Sequence, residues 1–144
     1  PSHRHGLELA AVGRCYAACE DWERAVWYFE KAVEYRDAPP EICLVLQKQL
    51  TGLYKRMARF SDACRLWDRM AEEWGDLYAL VELAKHFEHR EKDYRRADYY
   101  TEKALALVRR TPWNANTASL SEFTQEALQY RRERLSRKEN KTGK

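Results

Sequence analysis

The stretch ELAKHFEHREKDYRRADYYTEKALAL, Glu82 to Leu107, decides the fold. Leu80 just before it and Leu83, Ala84 and Phe87 in its first half recur at helical spacing. Tyr94, Ala97, Tyr100, Ala104 and Leu107 do so in its second. Asp93 precedes Tyr94 where an N-cap belongs, and the small Ala97 and Ala104 allow the second helix to approach the first closely. The reading is two amphipathic helices joined by a short turn. Neither can bury its apolar face alone, so the stretch predicts further helices packed beside it.

The pattern recurs upstream. Ala25, Ala63 and Ala97 occupy equivalent places, as do Trp22, Phe60 and Tyr94, with a period of roughly 34 to 38 residues. Tyr16, Tyr54 and Phe87 stand on the first helix of each pair. Phe29 and Trp67 continue an aromatic column that Thr101 breaks, and Ala32, Met70 and Ala104 complete the set. In the first unit Leu9, Val12, Gly13, Tyr16, Ala25, Phe29 and Ala32 follow the pattern W-x2-L-G-x2-Y, A-x3-F-x2-A, with Leu9 in place of tryptophan. The chain therefore resembles the tetratricopeptide repeat (TPR) proteins over about residues 6 to 110. The resemblance implies an all-α fold, TPR-like helical-hairpin repeats forming a right-handed α-solenoid. The repeats fall at about 6–38, 41–75 and 76–110.

Helices are expected at about Gly6–Cys19, Trp22–Tyr35, Glu41–Met57, Ser61–Trp74, Asp76–Arg90 and Tyr94–Arg109, with Asp21 capping the second. Pro39 and Pro40 break the chain between the second and third. Ser119 with Glu122 three residues later reads as a capping box opening a seventh helix, about 119–138. Its stripe of Leu120, Phe123, Ala127, Leu128 and Leu135 would cover the third hairpin, as finite arrays require. Residues 1–138 read as one domain, and 139–144 as a disordered basic tail.

A narrower resemblance lies in YKRMARFSDACRLWDRMAE, Tyr54 to Glu72, together with the third unit. These stretches are similar to the C-terminal repeat tail of bacterial YprB-type proteins. Such proteins join a ribonuclease-H-like, DnaQ-related exonuclease domain to helical repeats. The resemblance implies an accessory tail whose nuclease lies in a separate domain. On this reading the chain is no enzyme and has no catalytic residues, no cofactor and no small-molecule substrate.

Charged residues make up 34% of the chain, with only five glycines and four prolines, a balance that favours helices and offers no strand-rich segment. No run of about 18 apolar residues occurs, so no membrane span is expected, and charges interrupt any leader-like core near the start. A cytoplasmic protein with reduced, packed thiols follows. Cys15 with Cys19 and His86 with His89 each offer only half a metal site, and no metal is assigned. Cys15 is expected at a small, buried position, and His86 and His89 at partly exposed ones. Most aromatics read as core, leaving Tyr28, Tyr35, Tyr78, Trp113 and Tyr130 for the surface.

The tetratricopeptide resemblance assigns the concave surface to the first helices of the units. Mapped residue by residue, it takes Leu7, Ala10, Arg14, Ala17 and Ala18 from the first unit. The second gives Val45, Lys48, Gly52, Lys55 and Arg56, and the third Tyr78, Val81, Lys85, Glu88 and His89. The partner-binding groove is thus Arg14, Lys48, Lys55, Arg56, Tyr78, Lys85 and His89. A groove with these cations facing the single carboxylate of Glu88 suits a protein partner or acidic peptide. A second reading uses the terminal run RRERLSRKENKTGK, which carries seven basic and two acidic residues. Arg131, Arg132, Arg134, Arg137 and Lys138 would there hold the phosphates of nucleic acid.

Overall fold

The computed structural model describes residues 5–36, 38–110 and 123–142. Seven α-helices and no strand occur among them. They are α1 (His5–Ala18), α2 (Trp22–Ala32), α3 (Pro40–Arg56), α4 (Phe60–Trp74), α5 (Leu77–His89), α6 (Tyr94–Arg110) and α7 (Gln125–Thr142). The chain divides into two compact units, Pro1–Leu66 and Trp67–Lys144. In the first, α1 packs on α2 and α2 on α3. In the second, α5 packs on α6 and α6 on α7.

The short turns obey one rule. Glu20, Ala58 and Lys92 are the non-glycine residues with positive φ, at 60°, 58° and 53°. One falls in each hairpin, and they keep the spacing of the sequence repeat. In the first two turns the next amide reaches back five residues, Asp21 N–H to Tyr16 O at 2.9 Å and Arg59 N–H to Tyr54 O at 2.7 Å. The left-handed residue itself donates three residues back, from Glu20 to Ala17 and from Ala58 to Lys55, at 3.0 Å each. These paired bonds form a Schellman closure, which satisfies the last carbonyls of the helix and turns the chain at once. The third turn holds one extra residue, and Asp93 N–H reaches Phe87 O at 2.8 Å. Asp21 then caps α2 by accepting from Arg24 N, and Asp93 caps α6 by accepting from Arg96 N. Between α4 and α5 the left-handed position belongs to Gly75, φ 59°, and Asp76 caps α5 through Ala79 N at 3.0 Å.

Packing within the hairpins requires small residues. A Cβ on Gly13 would stand 2.8 and 2.9 Å from the ring carbons of Phe29, so only glycine lets α2 lie this close to α1. Ala10, Ala25, Ala32, Ala63, Ala97 and Ala104 are all fully buried. Buried hydroxyls bond within their own helix: Thr51 Oγ1 donates to Lys48 O and Thr101 Oγ1 to Ala97 O, both at 2.7 Å. Thr101 can therefore replace an aromatic in the core without leaving an orphan donor. In the first unit the buried Tyr54 hydroxyl donates to Glu30 Oε2 at 2.6 Å, and burial followed by this bond raises its pKa.

In the second unit Leu80, Val81, Ala104, Leu105, Phe123 and Leu128 form one cluster. The last helix thus covers the third hairpin as its apolar stripe implies. Its bounds differ from the expectation. Thr124 supplies the cap, its Oγ1 accepting from Ala127 N at 3.1 Å, and the helix runs to Thr142, past the expected end at Lys138. Ion pairs on both flanks hold the added turn: Arg95 Nε meets Glu139 Oε1 at 2.7 Å, and Lys138 meets Glu88. The expected capping box at Ser119 and Glu122, with Leu120 and Trp113, lies outside the described residues.

Two expectations on burial are corrected. Cys15 is exposed. Two positions beyond Gly13 is about 200° round the helix, away from α2. Cys19 is exposed too, so only Cys43 is a buried thiol and Cys64 is half-buried. His86 is partly exposed as expected, with Nε2 2.6 Å from Glu91 Oε2 across the turn. Trp27 and Tyr99, both 52% exposed, join Tyr35 and Tyr130 as exposed aromatics among the described residues, while Tyr28 stacks on Tyr16 and Tyr78 packs against the second unit's core.

Two measurements check this account. Ala58 carries a Cβ that disfavours its left-handed backbone and no polar group to offset it, so Ala58→Gly should stabilise by about 1 kcal/mol in urea unfolding. Trp67 is 1% exposed, and its indole N–H meets no acceptor among the described residues, so it stabilises by packing. Trp67→Ala should cost roughly 3 to 5 kcal/mol by the same method, and a loss under about 1 kcal/mol would contradict its burial.

Candidate interaction surfaces

The first unit carries four of the expected groove residues. Arg14 lies on the exposed side of α1, its Nη1 3.4 Å from Gln49 Oε1 of α3. Lys48 is half-buried on α3, while Lys55 and Arg56 are exposed at its last turn. Arg56 lies over the Trp22 ring, 4.4 Å from its centroid. Gly52, exposed between them, would meet nothing within 4 Å if it bore a Cβ, so the surface there is open. Leu7 and Val45 add exposed apolar area at 39% and 48%, whereas Ala10 is wholly buried.

In the second unit the surface differs from the expected groove. Val81 is 1% exposed within the cluster that contains Phe123 and Leu128. Tyr78 is half-buried against that cluster, and Lys85 Nζ approaches the buried Glu82 at 3.5 Å. His89 remains exposed. Glu88, expected to face the cations of a groove, lies under α7 with its side chain wholly buried. The residues that cover the hairpin's apolar side chains thus also cover Val81, and α7 covers Glu88.

Glu88 gathers the cations of α7. Its Oε1 accepts from Arg131 Nη1 at 2.6 Å and Arg134 Nη2 at 2.8 Å, and its Oε2 from Arg134 Nε at 2.7 Å and Lys138 Nζ at 2.8 Å. Burial would push the carboxyl up. The hydrogen bonds from Arg134 and Lys138 and the charges of Arg134 and Arg131 outweigh it, and Glu88 is held at about 2. Beside it, His89 Nε2 is 3.6 Å from Oε1. Its own burial lowers its pKa first, Glu88 opposes this, and Lys138, Arg131 and Arg134 lower it further. Arg132 pairs in fork geometry with Asp98 of α6, at 2.9 and 3.3 Å. Of the five terminal residues assigned to phosphate, Arg137 is simply exposed. The other four converge on carboxylates of the hairpin beneath.

Among the described residues no group of three His, Cys, Asp or Glu side chains could hold a metal ion, and no helix is long and apolar enough to cross a membrane. An open cavity of about 600 Å³ lies between the α5–α6 turn and the end of α7, bounded by residues such as Asp93, Tyr94 and Asn140. Its walls mix acids and bases and converge on no single chemistry.

The fold and these surfaces define an all-α protein of helical hairpins with charged faces. The chain is 28% identical over 134 residues to the uncharacterized protein YprB of Bacillus subtilis (strain 168), a match covering 91% of this chain and 30% of that protein's length. No protein family and no solved structure matches it.

Loss of the buried carboxylate should loosen α7. Glu88→Ala leaves three cations facing one another and should cost roughly 3 to 5 kcal/mol in urea unfolding. The pH dependence has a definite sign. The folded pKa, about 2, lies below the ordinary 4.5, so the stabilisation is complete above pH 4.5 and is lost as pH falls toward 2. Unfolding curves of the parent and the variant should therefore converge as the solution is acidified through that window.

Proposed function

We propose that the chain is a protein-interaction module of tetratricopeptide type. Its partner surface is the basic face that α1 and α3 present in the first unit, and its partner an acidic peptide or an acidic segment of a protein. The supporting observation is the company kept by Arg14 and Arg56. One meets the amide of Gln49 and the other the ring of Trp22, and among the described residues no carboxylate pairs with either. A guanidinium held over an aromatic ring is pre-oriented and keeps donors for an incoming carboxylate. Exposed Leu7, Val45 and Gly52 provide apolar area and room for a backbone.

The match to YprB, which spans most of this chain but under a third of the relative, supports reading the module as an accessory region of a larger cytoplasmic protein. Any exonuclease chemistry would then belong to a separate domain, and the chain by itself would hydrolyse nothing.

The immobilised chain should retain a bacterial protein from nuclease-treated lysate. Arg14→Ser with Arg56→Ser should abolish that retention while the helical circular dichroism stays unchanged. Captured species that all vanish on nuclease treatment, and that the double variant still holds before it, would refute the proposal.

A further inference from the structure

The cluster around Glu88 carries more charge than one carboxylate needs. A buried carboxylate has about four lone-pair sites, and the four hydrogen bonds from Arg131, Arg134 and Lys138 fill them. Arg134 alone already provides the fork-shaped pairing that satisfies such a group. Arg131 and Lys138 are therefore a surplus, and the cluster keeps two net positive charges. Neighbouring acids bond elsewhere: Asp98 pairs with Arg132 and Glu139 with Arg95, and Glu91 hydrogen-bonds across the turn to His86. Among the described residues no ion pair joins Glu133 to the cluster.

The cluster can be reached from solvent at its outer edge. The side chains of Arg134 and Lys138 are 30% and 36% exposed, while Arg131 lies deeper at 13%. Each guanidinium has five N–H donors and the ammonium three, and only four of these are spent on Glu88. Glu88 thus acts as a template: it holds three mutually repelling cations together and leaves their outer donors directed elsewhere. Tyr130 stands beside them, 58% exposed, with the Arg134 guanidinium 5.8 Å from its ring centroid.

We propose that Arg131, Arg134 and Lys138, together with Tyr130, form a binding site for a nucleotide phosphate of single-stranded nucleic acid on the α7 face of the second unit. A phosphate offers several acceptor oxygens to the remaining donors, and a terminal phosphate dianion matches the surplus of two charges. A flat exposed ring next to a phosphate site accepts an unstacked base without regard to its identity. A duplex, whose bases are stacked inward, cannot use Tyr130. The site shares no residue with the basic face of α1 and α3, so either can fail without the other.

Two probes test it, inorganic phosphate and a short 5′-phosphorylated oligothymidylate. His89 is the reporter, because the three cations help to lower its pKa and a bound anion would raise it. Both probes should raise the His89 titration followed by NMR. Tyr130→Ala removes an exposed ring and spares the fold. It should weaken the oligonucleotide by roughly 5- to 150-fold and leave inorganic phosphate unaffected. Oligonucleotide affinity should fall with salt at a slope of about −0.7 per phosphate contact in log–log form. A His89 titration that neither probe moves would overturn the site, as would oligonucleotide binding that Tyr130→Ala leaves intact or that Arg14→Ser with Arg56→Ser removes.

Discussion

A left-handed residue closing each hairpin is the constraint on which the helical pairs depend. Glu20, Ala58 and Lys92 hold positive φ although none is glycine. Each costs on the order of 1 kcal/mol against an ordinary helical residue. The amides they turn toward the preceding helix recover this by satisfying carbonyls that would otherwise stand unbonded at its end. The turn fixes where the second helix starts. Asp21 and Asp93 can then cap α2 and α6, and Gly13 can meet Phe29 rather than its neighbour. Sequence spacing, turn geometry and close packing are one feature seen at three scales.

The repeat also explains why equivalent positions differ in exposure. Leu46, Leu50 and Leu53 of α3 are buried, as are Ala79 and Leu83, the counterparts of the first two in the next hairpin. The counterparts of the α3 row one repeat earlier are Glu8, Val12 and Cys15, all exposed. In the first unit α2 packs closely on α1 and also on α3 of the next hairpin, whereas α1 meets α3 through the exposed Arg14–Gln49 hydrogen bond. Burial in such a chain follows from the neighbours a position has as much as from its place in the motif.

Apolar periodicity and turn chemistry made the helices legible. Asp21, Asp93 and the alanine columns placed the six hairpin helices within three residues at every end, the largest miss being α2, which stops at Ala32 and not Tyr35, because a cap and a close approach each demand a particular side chain. The resemblance to a repeat groove was less informative about the third hairpin. Val81 and Glu88 sit where such a groove would be lined, yet both are buried. A stripe formed by Leu128 and Leu135 announces that α7 packs on something, but not which face of the hairpin it takes. One signal was available: Arg131, Arg134 and Lys138 recur at helical spacing on the side of α7 near that stripe, and such a row calls for a buried acid beneath it.

The contrast between the two units comes down to how their cations are held. Arg56 lies over a ring and Arg14 beside an amide, arrangements that orient a guanidinium without neutralising it. On α7 a buried carboxylate does the orienting and cancels only part of the charge. Both devices lower the entropy that a long basic side chain must lose when it meets an anion. They differ in how they respond to loss of one group. Removing the Trp22 ring would free Arg56 into solvent with little consequence for the core. Removing the Glu88 carboxylate would set three cations against each other beneath a helix anchored by few apolar residues. The second device therefore ties the placement of α7 to the charge it displays, and any anion that binds there does so on a surface whose order depends on a buried acid of the opposite sign to the cations it holds.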